Sequence, residues 1–228
     1  MISVVIPTLN AAARLPACLA GLVQAAIDGL VIEVIVSDGG STDATAAIAE
    51  DAGAVLIAGS QGRGAQLARG ARAARGRFLL FLHADTVLDP AWTDDVVRLM
   101  KDEDRAGVFT LAFDAKGVAP HVVSWGAMIR TRLFRAPYGD QGLFISRALY
   151  ERLGGYREAP LFEDVDLIDR LIRHGGRRAL VVLPARAVTS ADRYLHDGYA
   201  RRVLKNALCL AMYRAGVAPA KIASFYQS

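Results

Sequence analysis

The chain opens on Ile2-Ser3-Val4-Val5-Ile6, an apolar-rich run closed by Pro7, and this predicts a buried strand. Thr8-Leu9-Asn10 then reads as a loop able to cap a helix from about Ala12 to Ala26. The same alternation repeats along the first half. A β-branched strand over 32–36 precedes an alanine-rich helix over 44–51, a strand over 55–57 precedes a helix over 64–74, and a fourth strand covers 78–82. Strands and helices alternating at this spacing imply an α/β fold, with a mostly parallel, Rossmann-like central sheet and helices on both faces.

The second half is less regular. Residues 108–113 alternate as a strand expected to run antiparallel to its neighbours, and 122–134 read as a helix lying across the site. A polar turn over 138–142 leads to a strand over 143–145 and a short helix over 148–153. The 163–174 helix is the clearest, with Leu167, Ile168, Leu171 and Ile172 on one stripe and Gly175-Gly176 as its stop. A strand over 179–183 and a helical tail over about 194–214 complete the pattern. With no repeat and no long linker, 1–228 reads as one domain.

Composition narrows the class. The chain is 53% hydrophobic and 22% charged, as expected of a globular enzyme and not of a disordered segment. Cys18 and Cys209 are the two cysteines and neither lies in a ligand-like cluster. The formal charge of +4 is spread too evenly to mark nucleic acid as a partner. No apolar run is long enough to cross a bilayer, and no leader-like segment precedes the first strand, so the expected location is cytoplasmic.

Three polar clusters follow predicted strands: Pro7 to Asn10, Ser37 to Asp43, and His83 to Thr86. Open α/β sheets bind ligands beyond the carboxyl ends of their strands, so these clusters are expected to converge. In Ser37-Asp38-Gly39-Gly40-Ser41-Thr42-Asp43, Asp38 is placed to accept hydrogen bonds from a base or ribose while Asp43 supports the next helix. No Gly-x-Gly-x-x-Gly opens the first helix and no P-loop is present. Gly62-Arg63-Gly64 runs into a helix, where Arg63 can reach a phosphate; Arg69, Arg72, Arg75 and Arg77 read mainly as a solvated face. Asp85, in His83-Ala84-Asp85, can bind a divalent cation, Mg²⁺ or Mn²⁺, that bridges a diphosphate. Glu163 and Asp164 stand at a predicted helix start, which favours acids in any case, and one of them can act as a general base.

Taken together these clusters resemble the family 2 glycosyltransferases, enzymes of the GT-A fold. Val4 to Asn10 resembles their opening strand and loop, with Asn10 where an acid is more usual. Val36 to Asp43 is similar to their nucleotide-binding turn, and Phe81 to Asp85 to their Asp-x-Asp motif, with His83 replacing the first aspartate. Gly139-Asp140-Gln141-Gly142 resembles the acceptor-side loop, and Glu163-Asp164 the pair that contains the base. The Leu-His-Ala-Asp-Thr form, the small size and the 206–226 tail resemble a bacterial subgroup with poorly defined substrates.

The resemblance implies a nucleotide-sugar-binding part over 1–106 and an antiparallel acceptor-side part with the C-terminal helices over 107–228. It implies an inverting transfer of one sugar from a UDP-sugar or GDP-sugar to a hydroxyl acceptor, which need not exclude a lipid-linked one. Pro7, Thr8, Asn10, Asp38, Gly40, Arg63, His83, Ala84 and Asp85 would serve the donor, with Asp85 on the metal. Asp140, Gln141 and Gly142 would serve the acceptor, Asp164 would be the base, and Glu163 would orient the acceptor or the helix start. The competing readings are a sugar-phosphate nucleotidyltransferase and a noncatalytic nucleotide-sugar or glycan-binding module. Arg201, Arg202 and Lys205 beside Tyr199, Val203 and Leu204 fit peripheral contact with the inner membrane face, a homodimer contact, or an ordinary packed helix.

Overall fold

In the computed structural model, which describes residues 1–227, the first strand already divides the core. β1 (Ile2–Thr8) sends Ile2, Val4 and Ile6 to one face and Val5 to the other, each fully buried. The parallel half continues through α1 (Leu15–Ala20), α2 (Val23–Ile27), β2 (Val31–Asp38), α3 (Thr45–Asp51), β3 (Val55–Ala58), α4 (Arg63–Ala73) and β4 (Phe78–Phe81). The helix expected over 12–26 is thus two short helices, parted at Gly21-Leu22.

The second half holds β5 (Thr86–Leu88), α5 (Trp92–Leu99), β6 (Ala106–Phe113), α6 (Val118–Phe134), β7 (Leu143–Ser146), α7 (Arg147–Arg152), α8 (Glu163–Gly175), β8 (Leu180–Thr189), α9 (Asp192–Asp197), α10 (Tyr199–Arg214) and α11 (Pro219–Gln227). One eight-stranded sheet runs β3-β2-β1-β4-β7-β6-β8-β5. The first four strands are parallel, and β7 enters antiparallel to both β4 and β6. This is the mostly parallel sheet with an antiparallel portion that the GT-A resemblance implies. The antiparallel expectation for β6 holds against β7 but not against β8, to which it is parallel.

Helices cover both faces for the reason the alternation gives. Phe78 and Leu80 of β4 pack with Leu15, Cys18, Trp92 and Val96, whereas Leu79 and Phe81 pack with Leu67, Leu149, Leu167 and Ile168. β5 and α5 are additions to the sequence reading. β8 also runs ten residues, not the expected five, because a register shift opposite Phe109/Thr110 absorbs Pro184 and Ala185 without ending the pairing. The buried Asp95 carboxylate accepts the Ala185 N–H at 2.7 Å, satisfying the donor that the shift leaves free. The tail helix is interrupted at Gly198, whose φ of +81° separates α9 from α10.

Candidate active site

Because β2, β1 and β4 are neighbours and parallel, the segments beyond their carboxyl ends meet at one edge of the sheet. There Pro7, Thr8, Asn10, Arg63, His83, Ala84 and Asp85 line an open cleft of about 680 Å³, joined by Gln66 and Arg193. A smaller cavity of about 150 Å³ lies beyond, with Asp140 and Asp164 among Tyr138, Phe162, Tyr194 and Tyr226 in its wall. Arg63, His83, Asp85 and Arg193 line both. These two compartments share one junction, and behind it a void of about 20 Å³ is lined by His83, Gly139, Gly142, Glu163 and Asp164.

The wall of the larger cleft is braced from within. Asp38 is buried, and its carboxylate accepts from Thr8 Oγ1 at 2.9 Å, the Gly40 N–H at 2.9 Å, the Ser41 N–H at 2.7 Å and Ser41 Oγ at 2.5 Å. Burial opposes the charge, yet these donors outweigh it and hold the carboxyl below its ordinary range. The side chain expected to meet the donor base is thus engaged by its own turn, and Gly40 is part of that turn. Asn10, at φ +50°, clasps the same loop: its N–H donates to Ser41 Oγ at 2.8 Å and its Oδ1 accepts the Thr42 N–H at 2.9 Å. Asp43 plays the supporting role expected of it, accepting from the N–H groups of Thr45 and Ala12, each at 3.0 Å.

Gln66 was absent from the sequence-derived site. It is buried on α4, donates to Thr8 O at 2.6 Å and Ser37 O at 3.0 Å, and so ties the ends of β1 and β2 to the helix. A polar residue beside Leu67 on an otherwise apolar helix face was its only signal. Arg69 corrects the solvated-face reading, since it donates to Asp38 O at 2.8 Å, whereas Arg72, Arg75 and Arg77 are exposed as expected.

At the junction, Arg63 forms an ion pair with Glu163 and contacts Asp164 Oδ2 at 3.5 Å. The two adjacent carboxylates differ. Glu163 is 1% exposed and faces neither compartment, and burial raises its pKa. Asp164 borders the smaller cavity, with Oδ2 accepting the Gly139 N–H at 2.6 Å and Oδ1 accepting the Val165 N–H at 2.7 Å. Gly139 is required for this approach: a Cβ there would lie 2.6 Å from His83 Nε2.

The 139–142 segment divides sharply. Asp140 borders the cavity, and burial pushes its carboxyl up to about 6. Gln141 instead is fully buried, donating to Phe109 O at 3.0 Å and accepting from Thr131 Oγ1 at 2.6 Å, so its expected acceptor role becomes a structural one. Gly142 at φ +62° turns the chain into β7 and lines neither compartment.

His83 and Asp85 are the donors that bear on a metal. Burial, with Arg63 second, holds the His83 imidazole down at about 3, so it is neutral at physiological pH, and its buried Nε2 has no hydrogen-bond partner among the described residues. Among the described residues the Asp85 carboxylate has only long contacts, at 3.4 Å and 3.5 Å, to the hydroxyls of Thr86 and Thr189. Among the described residues no group of three or more His, Cys, Asp or Glu is arranged to hold an ion. A carboxylate and an unpartnered imidazole nitrogen fit an ion completed by substrate phosphates and water, not one caged by protein.

Tyr194, Arg202, Asn206 and Tyr226 also line the smaller cavity, so the C-terminal helices form part of its wall. Of the readings open to Arg202, a lipid surface, a partner or an ordinary packed helix, the structure has it packed: it is turned inward, paired with Asp197 at 2.9 Å and stacked over Tyr226. Arg193 on α9, also missed, is exposed and has no hydrogen bond or ion pair among the described residues.

Residues 3–146 match the family described as glycosyl transferase family 2. A PGL/p-HBAD biosynthesis glycosyltransferase of Mycobacterium bovis is 33% identical over 165 residues, covering 68% of this chain and 63% of the relative. The chain thus spans less than two thirds of that relative's length. Glucosyl-3-phosphoglycerate synthase from Mycobacterium tuberculosis, solved with Mn²⁺, UDP and glucosyl-3-phosphoglycerate, is 25% identical with a TM-score of 0.63, covering 95% of this chain and 80% of that one. The same enzyme with Mn²⁺ and UDP-glucose superposes at a TM-score of 0.66 and 24% identity, covering 95% and 79%.

Proposed function

The chain belongs to glycosyl transferase family 2, and on that premise we propose that it transfers one sugar from a nucleoside diphosphate sugar to an acceptor hydroxyl, with inversion at the anomeric carbon. The observation that carries this is the pair of compartments meeting at Arg63, His83, Asp85 and Arg193. The larger cleft, at the end of the parallel strands, takes the donor, and the smaller cavity takes the acceptor. The uridine nucleotide in the synthase of similar fold supports a UDP-sugar.

The acceptor hydroxyl lies against Asp164, whose carboxylate takes its proton as the oxygen attacks the anomeric carbon. The new C–O bond forms on the face opposite the leaving group, and the bond from that carbon to the diphosphate oxygen breaks. Arg63 and Arg193 meet the negative charge that accumulates on the departing nucleoside diphosphate. Asp85, with His83 beside it, would hold a divalent ion, which supplies further compensation of that charge when bound. Asp164 is favoured over Glu163 because it borders the acceptor cavity, whereas Glu163 is sealed behind it and fixes Arg63.

The test is a donor panel of UDP- and GDP-sugars with Mn²⁺ or Mg²⁺, scoring released nucleoside diphosphate against pyrophosphate. Nucleoside diphosphate release that chelator and Asp85→Asn both suppress is expected. Pyrophosphate release would identify nucleotidyl transfer, and donor binding with neither transfer nor hydrolysis would identify a binding module. The product's anomeric configuration, read by NMR, decides the stereochemistry.

A further inference from the structure

Helix α6 is apolar on two sides. Its inner side carries the buried Pro120, Ala127, Met128 and Thr131 against the sheet. Its outer side leaves Val118 80%, Val122 57%, Trp125 68% and Leu133 61% exposed. The spacing 118, 122, 125, 133 is that of one helical face, so these side chains form a continuous stripe and not scattered exposures.

The charge around the stripe has one sign. Between Asp114 and Asp140 the sequence has no acidic residue; of its four cations Lys116 and Arg132 are exposed, while Arg130 is turned over the Tyr138 ring and Arg135 donates to Leu180 O. Arg177 adds to the same end, donating to the carbonyls of Arg132 and Leu133 at 3.3 Å and 3.0 Å. The neighbouring α10 exposes Leu204 at 70% and Leu208 at 47% beside Arg201, and no acid follows Asp197. No helix of the described residues is long and apolar enough to cross a membrane.

We propose that the outer face of α6 docks on an anionic lipid surface, with Trp125, Val122 and Leu133 entering the interface and Arg132 and Lys116 meeting the headgroups. A second copy of the chain fits less well. A two-fold contact through this stripe would set Arg132 and Arg177 of each copy in a field of their own sign, whereas a bilayer of anionic lipids complements both the apolar and the basic parts. The helix leads at its C-terminal end into the loop that carries Asp140, so docking would place the acceptor cavity near the lipid surface.

The test is sedimentation of the full chain with large unilamellar vesicles of phosphatidylcholine alone and with 3:7 phosphatidylglycerol:phosphatidylcholine, at about 0.15 M salt. Tryptophan emission gives a second readout, because Trp92 is 2% exposed in the core and Trp125 is the solvent-facing indole. Binding to the anionic vesicles with a blue shift, and weak binding to phosphatidylcholine, is expected. Trp125→Ser with Leu133→Ser should weaken binding at least tenfold, and Arg132→Glu at least about fivefold, with circular dichroism and thermal unfolding unchanged because all three side chains are exposed. Equal binding to both vesicle types, no binding, or binding indifferent to these substitutions would overturn the proposal. So would a stable dimer in solution that Trp125→Ser converts to monomer without any vesicle binding, since the occupant would then be a second copy.

Discussion

Arg63 joins two carboxylates that are adjacent in sequence and unlike in surroundings, and that difference sets distinct outcomes for their amides. Asp164→Asn keeps the shape and the Gly139 contact but cannot take a proton. It should lower transfer roughly 10²-fold or more while donor affinity, measured by calorimetry, is retained. Glu163→Gln removes the ion-pair partner of Arg63 from a fully buried position. It should loosen Arg63 at the junction and lower transfer by less than Asp164→Asn does, because the proton-accepting carboxylate is still in place. Asp140 gives a pH signature. Its carboxyl, pushed up to about 6 by burial, keeps its proton in the folded chain after the unfolded chain has released it, so stability falls as pH rises from about 4 to about 6. Asp140→Asn should abolish that fall and raise stability at pH 7 relative to pH 4 by on the order of 2 kcal/mol, in unfolding curves recorded with chelator. At this scale the residue types were legible and their division of labour was not. Asp38, Gln141 and Glu163 look as available for chemistry as Asp85 and Asp164 in a linear sequence, and only burial and hydrogen-bond partners separate those that hold loops from those that face the clefts.

Helix α8 brings its carboxylates to the site through a strained entry. Phe162, immediately before Glu163, sits at φ +65°, a conformation that costs a non-glycine residue about 1–3 kcal/mol, and its buried ring packs at a tilt against that of Tyr213 of α10, centroids 4.7 Å apart. The C-terminal helices therefore hold the residue that positions Glu163 and Asp164 at the junction. Tyr213→Ala should lower unfolding stability by about 1–3 kcal/mol and reduce transfer, while Tyr213→Phe, which keeps the ring, should restore both. A loss of stability with fully normal transfer would separate α10 from the site. The stripe of α8 and the β1 to β4 alternation were readable because each buries a regular face, Val4 and Ile6 on one side and Val5 on the other. The three-residue β5 is too short to show a period, and α5 follows a Pro-Ala turn that gives little warning of a helix. The tail was legible as helix but not as a wall of the cavity, because Arg202 and Tyr226 meet only through tertiary contact.

The whole molecule arranges two compartments around a junction to which the parallel half contributes Arg63, His83 and Asp85, and the tail contributes Arg193. Three of these four cations and ligands are fixed: Arg63 by its ion pairs, His83 by burial, and Asp85 by the turn that places Thr86 opposite Thr189. Arg193 alone is an exposed guanidinium without a protein partner among the described residues, which leaves its donors free for a ligand. If it meets the leaving diphosphate, its contribution grows as the glycosidic bond breaks, so kcat should suffer more than donor binding. Arg193→Gln is expected to lower kcat about 10- to 10²-fold and to weaken UDP binding only a fewfold, with unfolding stability within about 0.5 kcal/mol of the parent because no folded contact is removed. Raising ionic strength should reduce the parent's activity more than the variant's, since the variant lacks the charge being screened. Unchanged kcat with a raised KM for acceptor alone would move Arg193 from the diphosphate to the acceptor side of the junction, a position equally open to it because it borders both compartments.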